Sequence, residues 1–132
     1  MAAGLGGLII LRRVLSPAPL VVVAQLAALT LMVWARRTFG RRSFHLAAHP
    51  TSGGLVTTGP YGFIRHPIYA AICLFVWAGV FGNWSLQSFL LAFVVTAGAI
   101  VRMLCEERLL VERYPEYEQY RQNTRRMIPY FF

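Results

Sequence analysis

The segment Gly59–Pro–Tyr–Gly–Phe–Ile–Arg–His–Pro–Ile–Tyr69 gathers Arg65, His66 and Tyr69 at the mouth of an apolar stretch. Histidine donates, accepts or carries charge near neutral pH. The first turn of a helix offers free N–H groups to an anion such as a carboxylate. The same residues also suit a plainer role, with Arg65 and Tyr69 as interfacial anchors and His66 as a helix-start residue. A second cluster reads Arg102–Met–Leu–Cys–Glu–Glu–Arg108. Arg102 and Glu106 are four apart and pair on one helix face. Glu106 and Glu107 point in different directions, so Arg102 cannot pair with both. The spare carboxylate suits ribose hydroxyls or a substrate cation; its plainer reading is a solvated helix exit. His45 and His49 are also four apart, but no further ligands at fixed geometry accompany them, and no metal site is expected.

The elements that position these clusters follow from composition. Hydrophobic residues make up 57% of the 132-residue chain and charged residues 14%, against about 25% charged in a soluble domain. The apolar residues form long uncharged runs. Backbone in lipid must satisfy its own hydrogen bonds, and continuous runs of this kind fit helices. The expectation is an all-α, small multi-pass integral membrane protein forming a single membrane domain over 1–132. About three transmembrane helices are expected at 18–35, 67–81 and 86–103. A short N-terminal apolar helix within 1–16 and a cytoplasmic-face tail over 104–132, carrying a C-terminal helix, complete it. Pro67 suits the first turn of the second span, and Gly82–Asn83–Trp84–Ser85 reads as a tight turn. His66 and Glu106 are about equidistant from that turn, so an antiparallel hairpin brings them to one membrane face. Pro115 should interrupt the tail helix, and Met127 to Phe132 should pack back on that face.

The formal charge is +8, and all thirteen basic residues are arginine. Eight arginines and no acid precede Glu106; five arginines and all five glutamates lie from Glu106 to the end. These arginines flank apolar segments, so anionic headgroups explain them without nucleic acid. The positive-inside rule makes the clustered face cytoplasmic, although Arg12 and Arg13 count against that orientation. Cys73 and Cys105 form neither a disulfide framework nor a close-spaced metal motif and read as packing residues.

Together the two clusters resemble the isoprenylcysteine carboxyl methyltransferase family and its phospholipid N-methyltransferase relatives. The similar text is LVTTGPYGFIRHPIYAA at Leu55 to Ala71 and RMLCEERLLVERYPEYEQYRQNTRRMIPYFF at Arg102 to Phe132. The resemblance implies a membrane enzyme that uses S-adenosylmethionine. It assigns Arg65, His66 and Tyr69 to the cofactor pocket, with His66 near the methionyl carboxylate. Glu106 and Glu107 match the family's paired acids, Tyr117 and Tyr120 would cover the nucleoside, and Arg126 would meet the cofactor or a lipid headgroup. Arg113 and Glu107 are the candidate catalytic residues, Arg113 as the partner of an acceptor carboxylate. Two departures stand out. Ala71 occupies a position where the family often has glycine, and relatives carry more spans before the motif, which leaves a homodimer as one way to complete an acceptor tunnel.

The implied reaction is methyl transfer from S-adenosylmethionine to a lipophilic acceptor, with a carboxylate favoured, at the inner membrane of a bacterium. The partners expected are the bilayer and that lipophilic molecule. Two alternatives stay open. One is NADPH-dependent reduction, since membrane sterol reductases have a similar C-terminal pattern, though with Asn where this chain has Ile68. The other is a non-enzymatic lipid-binding or assembly protein.

Overall fold

The computed structural model describes residues 18–40 and 56–132. The N-terminal segment 1–16 and His45 and His49 lie outside the described residues. Helix α1 spans Pro19–Phe39, α2 spans Pro67–Gly82, α3 spans Leu86–Arg113 and α4 spans Tyr117–Asn123, with a 3-10 turn at Gly59–Gly62. Among the described residues the fold is all-α apart from one isolated bridge, Ile64 with Arg125.

The helix ends follow local chemistry. Pro19 and Pro67 occupy first turns, where a missing N–H costs nothing. Arg36 and Arg37 sit in the last turn of α1, where the helix dipole favours cations. Ser85 and Ser88 form a reciprocal capping box at the start of α3, each accepting the other's backbone N–H at 3.1 Å. Proline disfavours the helical conformation of the residue before it. Tyr114, ahead of Pro115, is accordingly extended at φ −120° and ψ 109°, and α3 stops there.

Helix α2 packs against α1 on one side and α3 on the other. The buried residues along these contacts are mainly small: Ala28 and Ala35 on α1, Ala71, Ala78 and Gly79 on α2, Ala92 and Ala99 on α3. Small residues let helix backbones approach closely where no hydrophobic effect drives them together. Ala71 is 1% exposed, so the methyl that departs from glycine is absorbed into the α1–α2–α3 packing. Trp77 Nε1 donates to Thr96 Oγ1 at 2.8 Å and ties α2 to α3.

Helices α1 and α3, at 21 and 28 residues, are long and apolar enough to cross a membrane; α2 is apolar but has 16 residues. Only 22% of each long helix's most apolar window is buried inside the molecule, unlike the core helix of a soluble domain. Leu20, Leu26, Phe93, Val94 and Val101 all face outward, a surface suited to lipid and a liability in water. The apolar part of α3 ends near Met103. The remaining helix is the charged exit expected of the tail, and Cys105 is exposed on it rather than packed.

Candidate functional site

The hairpin of α2 and α3 brings the two sequence clusters together at one end of the bundle. Glu107 is the centre. Its Oε1 accepts from Arg65 Nε at 3.0 Å and from His66 Nε2 at 3.1 Å, and its Oε2 accepts from Arg126 Nε at 3.2 Å. An ionised carboxylate only accepts, so His66 carries a hydrogen on Nε2 in this arrangement. Side chains of Arg65, His66 and Glu107 are each 5–6% exposed.

Glu106, one residue away, faces a separate set of partners. Its Oε1 accepts from the Tyr69 hydroxyl at 2.6 Å and from Arg102 Nε at 3.2 Å, and its Oε2 lies 4.0 Å from His66 Nδ1. The Arg102–Glu106 pair expected from spacing is therefore present. The expected spare carboxylate is not spare, because Glu107 is engaged on both oxygens. His66 bridges the two acids.

The tail returns to close the site. Arg125 N donates to Phe63 O, while Arg65 N donates to Arg125 O at 2.7 Å and His66 N to Arg126 O at 2.9 Å. Arg65 Nη1 donates to the carbonyls of Arg121 and Thr124, at 2.9 and 2.6 Å. The Tyr120 hydroxyl donates to Tyr61 O at 2.7 Å, and Thr124 Oγ1 donates to Tyr120 O. Tyr61 and Thr124 are buried and escaped the sequence reading. Tyr61 lies within the glycine–proline segment singled out there, but Thr124 carries no signal beyond its spacing of four from Tyr120.

Burial alone would raise the Glu107 carboxyl, which stands beyond the apolar stretch of α3. The hydrogen bonds from His66 and Arg65, with their charges, outweigh it and hold Glu107 at about 2, below its ordinary 4.5. Burial pushes the hydroxyls of Tyr117 and Tyr120 up, so both stay protonated donors. Tyr117 is 1% exposed, and its hydroxyl is the buried side-chain polar atom without a hydrogen-bond partner among the described residues. Its ring packs edge-on against Tyr120 at 5.7 Å.

Of the residues singled out from sequence, Arg65, His66, Tyr69, Glu106, Glu107, Tyr120 and Arg126 form one connected network, and Tyr117 is buried against it. Arg113 does not join them: it is exposed in the last turn of α3, with no side-chain hydrogen bond or ion pair to the cluster. The arrangement can orient several cations around one buried anion, and it offers the half-exposed Glu106 as a hydrogen-bond acceptor.

The sequence pattern of the family described as phospholipid methyltransferase matches residues 15–117, more than half of the chain. Two curated bacterial proteins are similar over 82 residues. One is the nickel-cobalt-cadmium resistance protein NccN of Alcaligenes xylosoxydans xylosoxydans, 35% identical over 57% of this chain and 36% of its own length. The other is the cobalt-zinc-cadmium resistance protein CzcN of Cupriavidus metallidurans, 33% identical over 57% of this chain and 35% of its own length. The chain thus spans about a third of the length of these relatives. No solved structure matches it.

Proposed function

Because this chain belongs to the phospholipid methyltransferase family, we propose that it transfers a methyl group from S-adenosylmethionine to a lipophilic acceptor, preferentially a carboxylate. The observation that carries the proposal is the convergence of Arg65, His66 and Tyr69 with Glu106 and Glu107, sealed by Tyr117, Tyr120 and Arg126. We read α2 as a third span beside α1 and α3. The site then faces the cytoplasmic side of a bacterial inner membrane, where the arginine excess favours it.

The residues present fit the cofactor. The unpartnered Tyr117 hydroxyl is a buried donor in want of an acceptor. Arg65, His66 and Arg126 match a carboxylate, Glu106 and Tyr69 match ribose hydroxyls, and the Tyr117–Tyr120 pair offers aromatic faces to a purine. When bound, S-adenosylmethionine supplies an electrophilic methyl group on a sulfonium.

The chain's own contribution is alignment and exclusion of water. Glu107, ionised down to about pH 2, is too weak a base to remove a proton at neutral pH. Its role is to position Arg65, His66 and Arg126. Arg113, exposed near the headgroup level, would orient an acceptor carboxylate arriving from the bilayer. An ionised carboxylate needs no deprotonation, so a site without a strong base suits that acceptor.

The metal-resistance names of NccN and CzcN concern those proteins. Among the described residues no three His, Cys, Asp or Glu side chains are grouped as metal ligands. The test is calorimetric titration of the detergent-solubilised chain with S-adenosylmethionine, with NADPH run as a control. Saturable binding that His66→Ala and Glu107→Ala both weaken is expected. A folded sample that binds NADPH instead, or neither ligand in detergent and in lipid, would overturn the reading.

A further inference from the structure

Beside the carboxylate cluster lies an open cavity of about 290 Å³, lined by Arg65, Arg121, Arg125 and Arg126 and by Phe131 and Phe132. Arg65 and Arg126 are held by Glu107. Among the described residues the Arg121 side chain pairs with Glu118, at 3.8 Å and with both side chains about half exposed. Arg125 is exposed, with no side-chain hydrogen bond or ion pair among the described residues. Four guanidinium groups thus face two carboxylates, and the surplus charge is positive. The ligand class is an anion with several oxygens, which guanidinium forks grip in pairs.

Two further observations specify the source of that anion. The first is depth. Glu107 follows Met103 by one helical turn, which sets the cluster about 6 Å beyond the apolar stretch of α3, at the level of lipid headgroups. The second is the wall of the cavity. Pro129 and Tyr130 occupy the centre of a turn closed by Phe131 N donating to Ile128 O at 3.2 Å. Tyr130 adopts φ 68°, as at the third position of a type II turn, which favours glycine or asparagine. A tyrosine there is strained, and the strain displays apolar surface: Tyr130 and Phe131 are 85% and 86% exposed, and Ile128 and Phe132 are also open. Aromatic rings beside cations at headgroup depth suit the membrane interface.

We propose that this cavity binds the phosphodiester headgroup of an anionic membrane lipid, with Arg121 and Arg125 on the phosphate oxygens and an acyl chain along Phe131. It is a docking site that draws the returning tail onto the bilayer, and it stands or falls independently of methyl transfer.

The experiment titrates the full chain in nonionic detergent with short-chain phosphatidylglycerol, with phosphatidylcholine of equal chain length, and with inorganic phosphate, reading bound ligand by native mass spectrometry. R121Q/R125Q is compared with R37Q/R108Q, which removes the same charge at the same end of the bundle. Phosphatidylglycerol should bind in preference to phosphatidylcholine. An arginine near a charged surface is worth roughly five-fold, so R121Q/R125Q should lose roughly thirty-fold, and R37Q/R108Q less than about two-fold. Equal losses in the two variants, or none in R121Q/R125Q, would overturn the proposal. So would inorganic phosphate competing at the concentration of the lipid, which would assign the cavity to a free anion. Arg125→Gln alone covers the case in which the double variant does not fold: a roughly five-fold loss supports the site, and no loss removes it.

Discussion

Along the apolar stretches of α1, α2 and α3 the buried residues are mostly alanine and glycine; around Glu107 they include His66, Tyr61, Tyr117 and Thr124. The first region is joined by shape. There the side-chain bond from Trp77 to Thr96 links α2 and α3, and such bonds between membrane helices average about 0.6 kcal/mol. The second region is joined by charge and by backbone bonds between residues as distant in sequence as Phe63 and Arg125. Packing therefore sets where the helices stand, while polar contacts hold the end of the bundle together. Substitution should separate the two: the apolar stretch should respond to volume, and the Glu107 end to loss of a partner.

The largest effect is expected at the centre of the charged region. Glu107→Ala strands Arg65 and His66 without their acceptor, and breaking a buried pair costs about 3–5 kcal/mol. Thermal unfolding in detergent should show it, and Glu107→Gln, which keeps the shape, should lose less. The same carboxylate sets the acid limb. Its folded-state value is lowered, so its stabilisation is complete above about 4.5 and fades as pH falls toward about 2. Melting curves across that window should flatten in Glu107→Gln, and an unchanged slope would assign the acid sensitivity elsewhere.

In the apolar region, Ala92→Leu inserts volume at a position 0% exposed. Overpacking of this kind costs about 1–3 kcal/mol, with little change in cofactor binding if the comparison holds. Gly59 tests the seam between the regions. Its φ is 58°, and an added Cβ would lie 2.8 Å from Thr38 Oγ1 on α1. Gly59→Ala should cost about 1–2 kcal/mol from the backbone alone, and it should disturb both stability and the Tyr61 carbonyl that Tyr120 uses. The smallest effect is expected for Thr96→Val, about 0.6 kcal/mol. Should Thr96→Val rival Glu107→Ala in the same melting assay, the division between shape and charge would not stand.

The sequence carried the helices well and the contacts unevenly. Helices begin at Pro67 and Leu86, as expected, because proline and serine mark helix starts by local chemistry. Helix α1 runs to Phe39, past the expected end at residue 35, because hydropathy marks where lipid stops and arginines continue a helix readily. The convergence of His66 with the paired acids was legible from hairpin arithmetic alone. Which acid takes which partner was not, because that depends on the rotation of α3 about its axis. The return of Thr124 to Arg126 onto Phe63 to His66 left no periodic trace, since it is a single crossing between distant extended residues. Arg113 was drawn from resemblance, and its exposed place outside the network makes it the singled-out residue least supported by neighbours.

The crossing of Ile64 with Arg125 also has a consequence in time. A ribosome delivers the chain from the N-terminal end, so all three apolar helices are made before Arg125 and Arg126 exist. During that interval Arg65 and His66 lack the tail segment whose carbonyls their backbone N–H groups later meet, and the charged cluster is unfinished. The surroundings of Glu107 are thus the last part of this chain to close, on helices already made.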